Sequence, residues 1–424
     1  MLETFTTLSR INYWNGSPKI KLGYLRESYL QILKKATGNK LIKVIVGQRR
    51  SGKSFIVRQF IQYLIQEKSV DPKNTFYLNK ELFEFENIKT AADLNALIKF
   101  YKKEIHPSGK VYVFIDEVQN IDEWEKIVVS LAQHSIEEYE VYITGSNSRL
   151  LSGELASQLS GRYLLMEVFP FSYMEFLSIY NLVNSKENFI NYIESSGLPE
   201  LLNFNSADIK RHYFQSLKDT ILLKDIMYRH QIRDYTLLED LFLFILHNVG
   251  NLFSIPSIVK YYKSKQRKTD YTTVASFITY MEEAFIIRNC TRFSLKTKEL
   301  LSGEKKYYVN DLGFRNFLYP QLKTDVGAIL ENVLFMHLLM AGYEVKVGYT
   351  NSYEVDFVAT KEGTTMYIQV TYLLANESTK DREYRSLELI DDSFPKYIVS
   401  MDDMTINHPK GIIHQNIWNF IHAL

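Results

Sequence analysis

Cysteine, uninterrupted apolar sequence and net charge are all scarce in this 424-residue chain. The single cysteine, Cys290, excludes a disulfide framework and fits a reducing compartment. As a small apolar side chain it needs no further role. No apolar run approaches the roughly 18–20 residues that cross a bilayer. The N-terminal MLETFTTLSRINYWNG lacks the basic-then-apolar order of a secretion signal. A soluble, cytoplasmic protein without membrane contact is expected. Fifty Lys and Arg oppose 49 Asp and Glu, so global charge selects no partner and any polyanion site must be local.

The length predicts two to four domains. Within it, KVIVGQRRSGKSFIVRQF (Lys43 to Phe60) stands out. Val44, Ile45 and Val46 read as a buried parallel strand. Gly47, Gln48, Arg49, Arg50, Ser51, Gly52, Lys53 and Ser54 then fit G-x-x-x-x-G-K-[ST] at every fixed position. Phe55, Ile56, Phe60, Ile61 and Leu64 continue with helical spacing. A strand, a glycine turn and a helix N-terminus make a cradle in which backbone N–H groups converge on phosphate oxygens. Lys53 would reach the β- and γ-phosphates of ATP, and the Ser54 hydroxyl would ligate Mg2+.

A second strand, KVYVFIDEVQ, ends in Asp116-Glu117, the Walker B arrangement of two carboxylates at the carboxyl end of a strand. Asp116 is assigned to the magnesium shell, and Glu117 to the attacking water as its base. Glu140–Ile143 is a further strand that ends in Thr144-Gly145-Ser146-Asn147-Ser148-Arg149. Either Asn147 or Ser146 there can bridge the γ-phosphate and the water; an ordinary polar turn is the alternative. After a helix over Leu150–Leu159, Arg162 is a candidate for stabilising charge at the γ-phosphate, in cis or across a subunit boundary.

Together, GQRRSGKS, FIDEVQ, ITGSNSRLLSGELASQLSGRY and FPFSYMEFL resemble a bacterial and archaeal group of AAA-type ATPases. The resemblance continues through GLPEL (Gly197–Leu201), YYVNDLGFRN (Tyr307–Asn316) and GAILENVLF (Gly327–Phe335). It implies an AAA-type P-loop core with an ATPase site, followed by a C-terminal region of uncertain role. Cores of this type often work as rings, so an oligomer is among the expectations.

Beyond the core, Phe171–Tyr180, Lys186–Ser195 and Asp208–Arg229 read as lid helices. Three further helices follow (Leu237–His247, one opening at Ser254, and one from Asp270 to Glu283), then extended segments Phe285–Leu295 and Lys305–Asn310. That order describes a winged helix-turn-helix. Between Lys260 and Lys306, eleven Lys and Arg face five Asp and Glu, a local net of +6 that suits phosphates. The third helix is short of base-reading side chains, which favours nonspecific contact or protein docking.

At the end, a helix over Val326–Ala341 and strands YEVKVGY, YEVDFVAT and MYIQVTY resemble the restriction-endonuclease-like core. The resemblance assigns Glu331 to the helix acid and Asp356 to the strand aspartate. Gln369-Val370-Thr371 stands where Glu-x-Lys belongs, so one anionic ligand and the lysine are missing. Lys380 is the candidate for a migrated lysine. A degenerate site kept for binding is expected.

The sequence therefore predicts an α/β chain: P-loop ATPase core (1–170), helical lid (171–235), winged helix-turn-helix (236–312) and a restriction-endonuclease-like domain (313–424). Its expected function is Mg2+-dependent ATP hydrolysis controlling a C-terminal DNA- or protein-binding module. The alternative is a nucleotide-gated DNA nuclease.

Overall fold

The computed structural model of the chain describes residues 2–16, 20–147, 159, 161–350, 353–374, 377–403 and 410–424. Ser148, Arg149 and all but the last residue of the helix expected over Leu150–Leu159 lie outside them. The chain divides into two units, Met1–Val168 and Phe169–Leu424.

Unit 1 is a parallel sheet of β1 (Ile42–Val46), β2 (Thr75–Asn79), β3 (Val111–Asp116), β4 (Tyr139–Gly145) and β5 (Tyr163–Glu167), in the order β2-β3-β4-β1-β5. Every residue of β1, β2 and β4 is buried, as strands covered on both faces require. Charge inside such a sheet needs a partner. Lys43 on β1 meets Glu140 on β4 at 2.7 Å, and Tyr142 donates to the same carboxylate at 2.8 Å. Helices Lys53–Gln66, Ala91–Ile105 and Trp124–Ala132 supply the crossovers. The helix Leu2–Ile11 has no counterpart among the sequence expectations. The turn after it serves the outer strand β2: Asn12 exchanges hydrogen bonds with the backbone of Tyr77 at 2.7 and 2.9 Å, and the Trp14 indole donates to the Thr75 carbonyl. An open strand edge is thereby closed.

Unit 2 contains the helices expected of a lid (Tyr173–Tyr180, Lys186–Glu194, Ala207–Thr220), the last running on as a π-helix over Ile221–Tyr228. Helices Tyr235–His247, Ile255–Ser264 and Tyr271–Glu283 follow. The two strands after them, β6 (Ile287–Ser294) and β7 (Leu300–Val309), are not a free wing. β6 also pairs in parallel with β8 (Glu344–Thr350), so both belong to one seven-stranded sheet. The others are β9 (Tyr353–Lys361), β10 (Thr364–Val370), β11 (Lys396–Ser400) and β12 (Ile413–Asn416), and the order is β12-β11-β10-β9-β8-β6-β7. A boundary at 312/313 would cut this sheet. One continuous apolar core runs from Phe169 to Ile421, through the lid helices as well. The expected subdivision into lid, winged helix and terminal domain thus gives way to shared packing, because none of these short pieces buries its apolar face alone.

The recurring motifs of this unit are its fastenings. Asp311 accepts hydrogen bonds from the Gly197 and Gly313 amides, both at 2.8 Å, and Asn316 donates to the carbonyls of Ile193 and Ser195. A Cβ on Gly197 would sit 2.7 Å from the Phe171 carbonyl oxygen, so GLPEL needs glycine there. Asn332 exchanges hydrogen bonds with both backbone groups of Val309, tying helix Val326–Met340 to β7.

Asp311→Ala should leave two buried amides without their acceptor, at about 1–3 kcal/mol each, read as a lower urea-unfolding free energy. Burial pushes the Asp311 carboxyl up from 3.8 to about 6, against hydrogen bonds from Ser196, Gly313 and Gly197 that pull it down. The folded chain thus holds this proton more tightly than the unfolded chain does. The contribution is full below 3.8 and is lost as pH rises through about 6. Wild type should lose stability across that window relative to Asp311→Asn.

Candidate functional site

Strand β1 turns sharply at Gly47, where a Cβ would lie 2.2 Å from the Val168 carbonyl oxygen. Gly52, at φ 99°, then caps the helix Lys53–Gln66. Only glycine meets both demands without strain. The loop between them is buttressed from outside: Arg26, itself buried, donates to the Ser51 carbonyl at 3.1 Å. Gln59 fastens the same flank by donating to the carbonyls of Leu22 and Tyr24. Gln48 is buried, Arg49 pairs with Glu81, Arg50 is exposed with a left-handed backbone, and Phe55 lies partly exposed beside Gly23.

Lys53 is almost wholly buried, and its ammonium donates to the carbonyls of Gly47 (2.9 Å) and Gln48 (3.1 Å). Its Nζ stands 3.7 Å from Glu117 Oε1. Asp116 accepts from Thr144 and from the Tyr77 hydroxyl at 2.9 Å, and the Ser54 hydroxyl is near enough to help lower that carboxyl. Ser54 and Asp116 therefore share one place. They do not come from neighbouring strands, however. β4 lies between β1 and β3, which sets Thr144, Ser146 and Asn147 in the middle of the cleft.

The two adjacent carboxylates are pushed apart in acidity. Burial raises the Asp116 carboxyl, helped by the charge of Glu117 and opposed by Thr144, Ser54 and Tyr77. Burial also works against ionisation of Glu117. The charges of Lys53 and Arg49, with hydrogen bonds from Gln119 and Ser146, outweigh it and hold that carboxyl below its ordinary value. Ser146 donates to Glu117 Oε2 at 2.9 Å, and the Glu117 amide donates to Thr144 Oγ1 at 3.0 Å. Of the two candidates after β4, Ser146 is the one hydrogen-bonded to Glu117; Asn147 is buried next to it. Thr144, Tyr77, Gln119 and Arg26 were missed in the sequence. Gln119 and Thr144 follow the motif residues closely enough to have been singled out, but nothing local marks Tyr77 or Arg26.

Arg162 stands apart from these residues. Its carbonyl accepts from the Ile42 amide, level with the first residue of β1, and its side chain is exposed. The phosphate loop leaves the other end of that strand, about 3.3 Å per residue further along. A role in cis has no geometry here.

Unit 2 holds a second group of ionisable side chains. Glu331 (on helix Val326–Met340), Glu354 and Asp356 (both on β9) surround the ammonium of Lys306, which comes from β7. Its distances are 2.8 Å to Glu331, 2.7 Å to Glu354 and 3.3 Å to Asp356. Gln369 on β10 accepts from the Asp356 amide, and the Val370 amide donates to Asp356 Oδ2 at 2.9 Å. Burial alone would drive the proton off Lys306, but the three carboxylates reverse this and keep it charged. Burial pushes Glu331 up to about 7, with Lys306 opposing and Asp356 adding to the rise. The sequence pointed to Lys380 for this cation. Lys306 escaped notice because it lies far from the motif and was counted in a basic surface patch. Of the eleven cations in that patch, Lys306 is buried, while Arg267 pairs with Asp240 and Asp234 and Arg292 with Glu304.

Among the described residues, no helix is long and apolar enough to cross a membrane. The model of an AAA domain matches residues 39–177, and that of a domain of unknown function (DUF8612) matches residues 186–325. An uncharacterized protein of Haemophilus influenzae is 34% identical over 380 residues, covering 88% of this chain and 92% of its own. One from Methanocaldococcus jannaschii is 31% identical over 364 residues, covering 82% and 78%. Among solved structures, Cdc6p from Pyrobaculum aerophilum matches at 14% identity over 75% of this chain and 97% of its own, with a TM-score of 0.31. The Aeropyrum pernix ORC2 protein in its ADP form matches at 10% identity over 72% and 92%, with a TM-score of 0.36. A likeness of that size carries no argument, whereas the AAA-domain match does for residues 39–177 and the two relatives show that the chain's kind is shared between a bacterium and an archaeon. With its glycine cradle, buried lysine and paired strand-end carboxylates, residues 39–177 form an AAA domain, and the chain belongs to one family with these two uncharacterized proteins.

Proposed function

We propose that the chain hydrolyses ATP with Mg2+ in the unit 1 cleft and that this cycle controls a binding module in unit 2. The observation that carries the first part is Lys53 of the glycine loop lying 3.7 Å from Glu117, next to the buried Asp116 whose carboxyl the nearby Ser54 hydroxyl helps to lower. Backbone amides of residues 47–54, with Phe55 following, form the phosphate cradle. Ser54 and Asp116 supply the hard oxygen ligands that suit Mg2+, which would neutralise phosphate charge when bound. Lys53 exchanges its contacts to the Gly47 and Gln48 carbonyls for phosphate oxygens. Glu117 accepts the proton of the water that attacks the γ-phosphorus as the bond to the β-phosphate oxygen breaks, giving ADP and phosphate. Ser146 keeps Glu117 in place, and Asn147, just beyond β4, is the second polar side chain assigned to the water. Arg162, at the far end of β1, acts only on the nucleotide of a second copy.

Lys53→Ala should weaken binding of a fluorescent ATP analogue and abolish phosphate release. Glu117→Gln should keep the nucleotide while turnover drops by about 10²–10⁴-fold. Full turnover in either variant would remove the assignment. Arg162→Ala should leave turnover unchanged at dilutions where the chain is monomeric and lower it only where copies associate, read from rate against protein concentration.

For the second part, the support is the run of exposed Lys260, Lys263, Lys265, Lys268, Lys296 and Lys298 on unit 2. Cations so placed suit a phosphate backbone without reading bases. Binding of a labelled DNA duplex should fall steeply with salt, and reversing Lys260, Lys263 and Lys265 to Glu should flatten that dependence. Binding that is equally tight in the reversed variant would point to a protein partner instead. The nuclease alternative has less support, since Gln369 replaces an anionic ligand.

A further inference from the structure

The carboxylate group of unit 2 opens into a cleft of about 540 Å³ lined by Glu331, Glu354, Asp356, Gln369, Arg382 and Glu383, among others. An endonuclease-like arrangement of helix acid and strand aspartate implies a divalent metal between them. The residues present do not fit one. The centre where Glu331, Glu354 and Asp356 converge is taken by Lys306 Nζ, at hydrogen-bond distances from all three. A magnesium ion needs oxygens at about 2.0–2.1 Å in near-octahedral array, and the third strand offers the neutral Gln369 amide instead of an acid. An ammonium has three N–H donors and no acceptor. Hydrogen bonds to Glu331 and Asp356 and the ion pair with Glu354 turn these donors toward the carboxylates instead of a water or a phosphorane.

Lys306 is also anchored from outside this group. It sits on β7, whose neighbouring Tyr308 donates to the same Glu331 and whose Val309 is held by Asn332 on the Glu331 helix. The strand cannot slide without breaking these bonds, so the ammonium is positioned by the sheet. Withdrawing it would leave the buried Asp356 and the partly buried Glu331 and Glu354 uncompensated.

We propose that Lys306 is the resident cation of this cleft: its ammonium stands where an endonuclease-like site would hold a divalent metal, and it keeps the acidic cleft assembled without one. The cleft then takes up no Mg2+ or Mn2+ and does not cut DNA. This holds whether or not unit 1 hydrolyses ATP.

Calorimetric titration of the nucleotide-free, full-length chain with Mn2+ tests it. Wild type and Asp356→Asn should give the same isotherm. Lys306→Met should gain one Mn2+ per chain, at least tenfold tighter than anything in wild type, and the double variant with Asp356→Asn should lose it. The thermal midpoint of Lys306→Met should rise with Mn2+ by more than that of wild type. A Mn2+ heat in wild type that Asp356→Asn removes would overturn the proposal, as would a folded Lys306→Met that takes up none. Should Lys306→Met not fold, the comparison of wild type with Asp356→Asn decides alone: matching isotherms sustain the proposal and differing ones end it.

Discussion

One carboxylate gathers the nucleotide-facing end of unit 1. Asp116, at the end of β3, accepts from Tyr77 on β2 and Thr144 on β4, and the hydroxyl of Ser54, on the helix that leaves β1, lies near it. Three strands and a helix therefore converge on a single buried carboxylate, which water cannot reach to compensate. Its burial raises its own proton affinity, and the three hydroxyls oppose that rise. A site built this way is stiff before any ligand arrives, which keeps the reorganisation required at the moment of reaction small.

Lys53 and Glu117 show the complementary device. The lysine is folded back onto two carbonyls of its own loop while lying close to the neighbouring carboxylate. Its charge is thus satisfied in the absence of phosphate and remains within reach of it. Glu117 gains from the same charge, because a positive neighbour favours the ionised form even under heavy burial. Environment therefore divides two carboxylates adjacent in sequence: burial raises Asp116, while the charges and hydrogen bonds around Glu117 hold it low.

Unit 2 uses the same physics for a different end. Around Lys306 a cation and three carboxylates satisfy one another across β7, β9 and a helix. Asp311 and Asn316 do comparable work with backbone groups, so motifs that invite a functional reading turn out to fasten loops and helices. The single apolar core from Phe169 to Ile421 explains why a boundary just after β7 fails: β6 and β7 pack with helices that precede them, and β6 pairs with β8, which follows.

The sequence by itself determined whatever depends on a few neighbouring residues. Buried strand runs, the glycine spacing of residues 47–54 and the acidic end of β3 are local patterns, and they specified the P-loop sheet and most of its cleft. Tertiary structure alone decided the strand order that puts β4 between β1 and β3, the support from Arg26 and Tyr77, and the placement of Arg162 at the far end of the sheet. It also moved Lys306 from an apparent basic surface into a buried acidic group. The reason is physical: periodicity reports which face of a segment is apolar, but a charge is partnered across strands that sequence distance does not order, and its environment exists only once those strands have met.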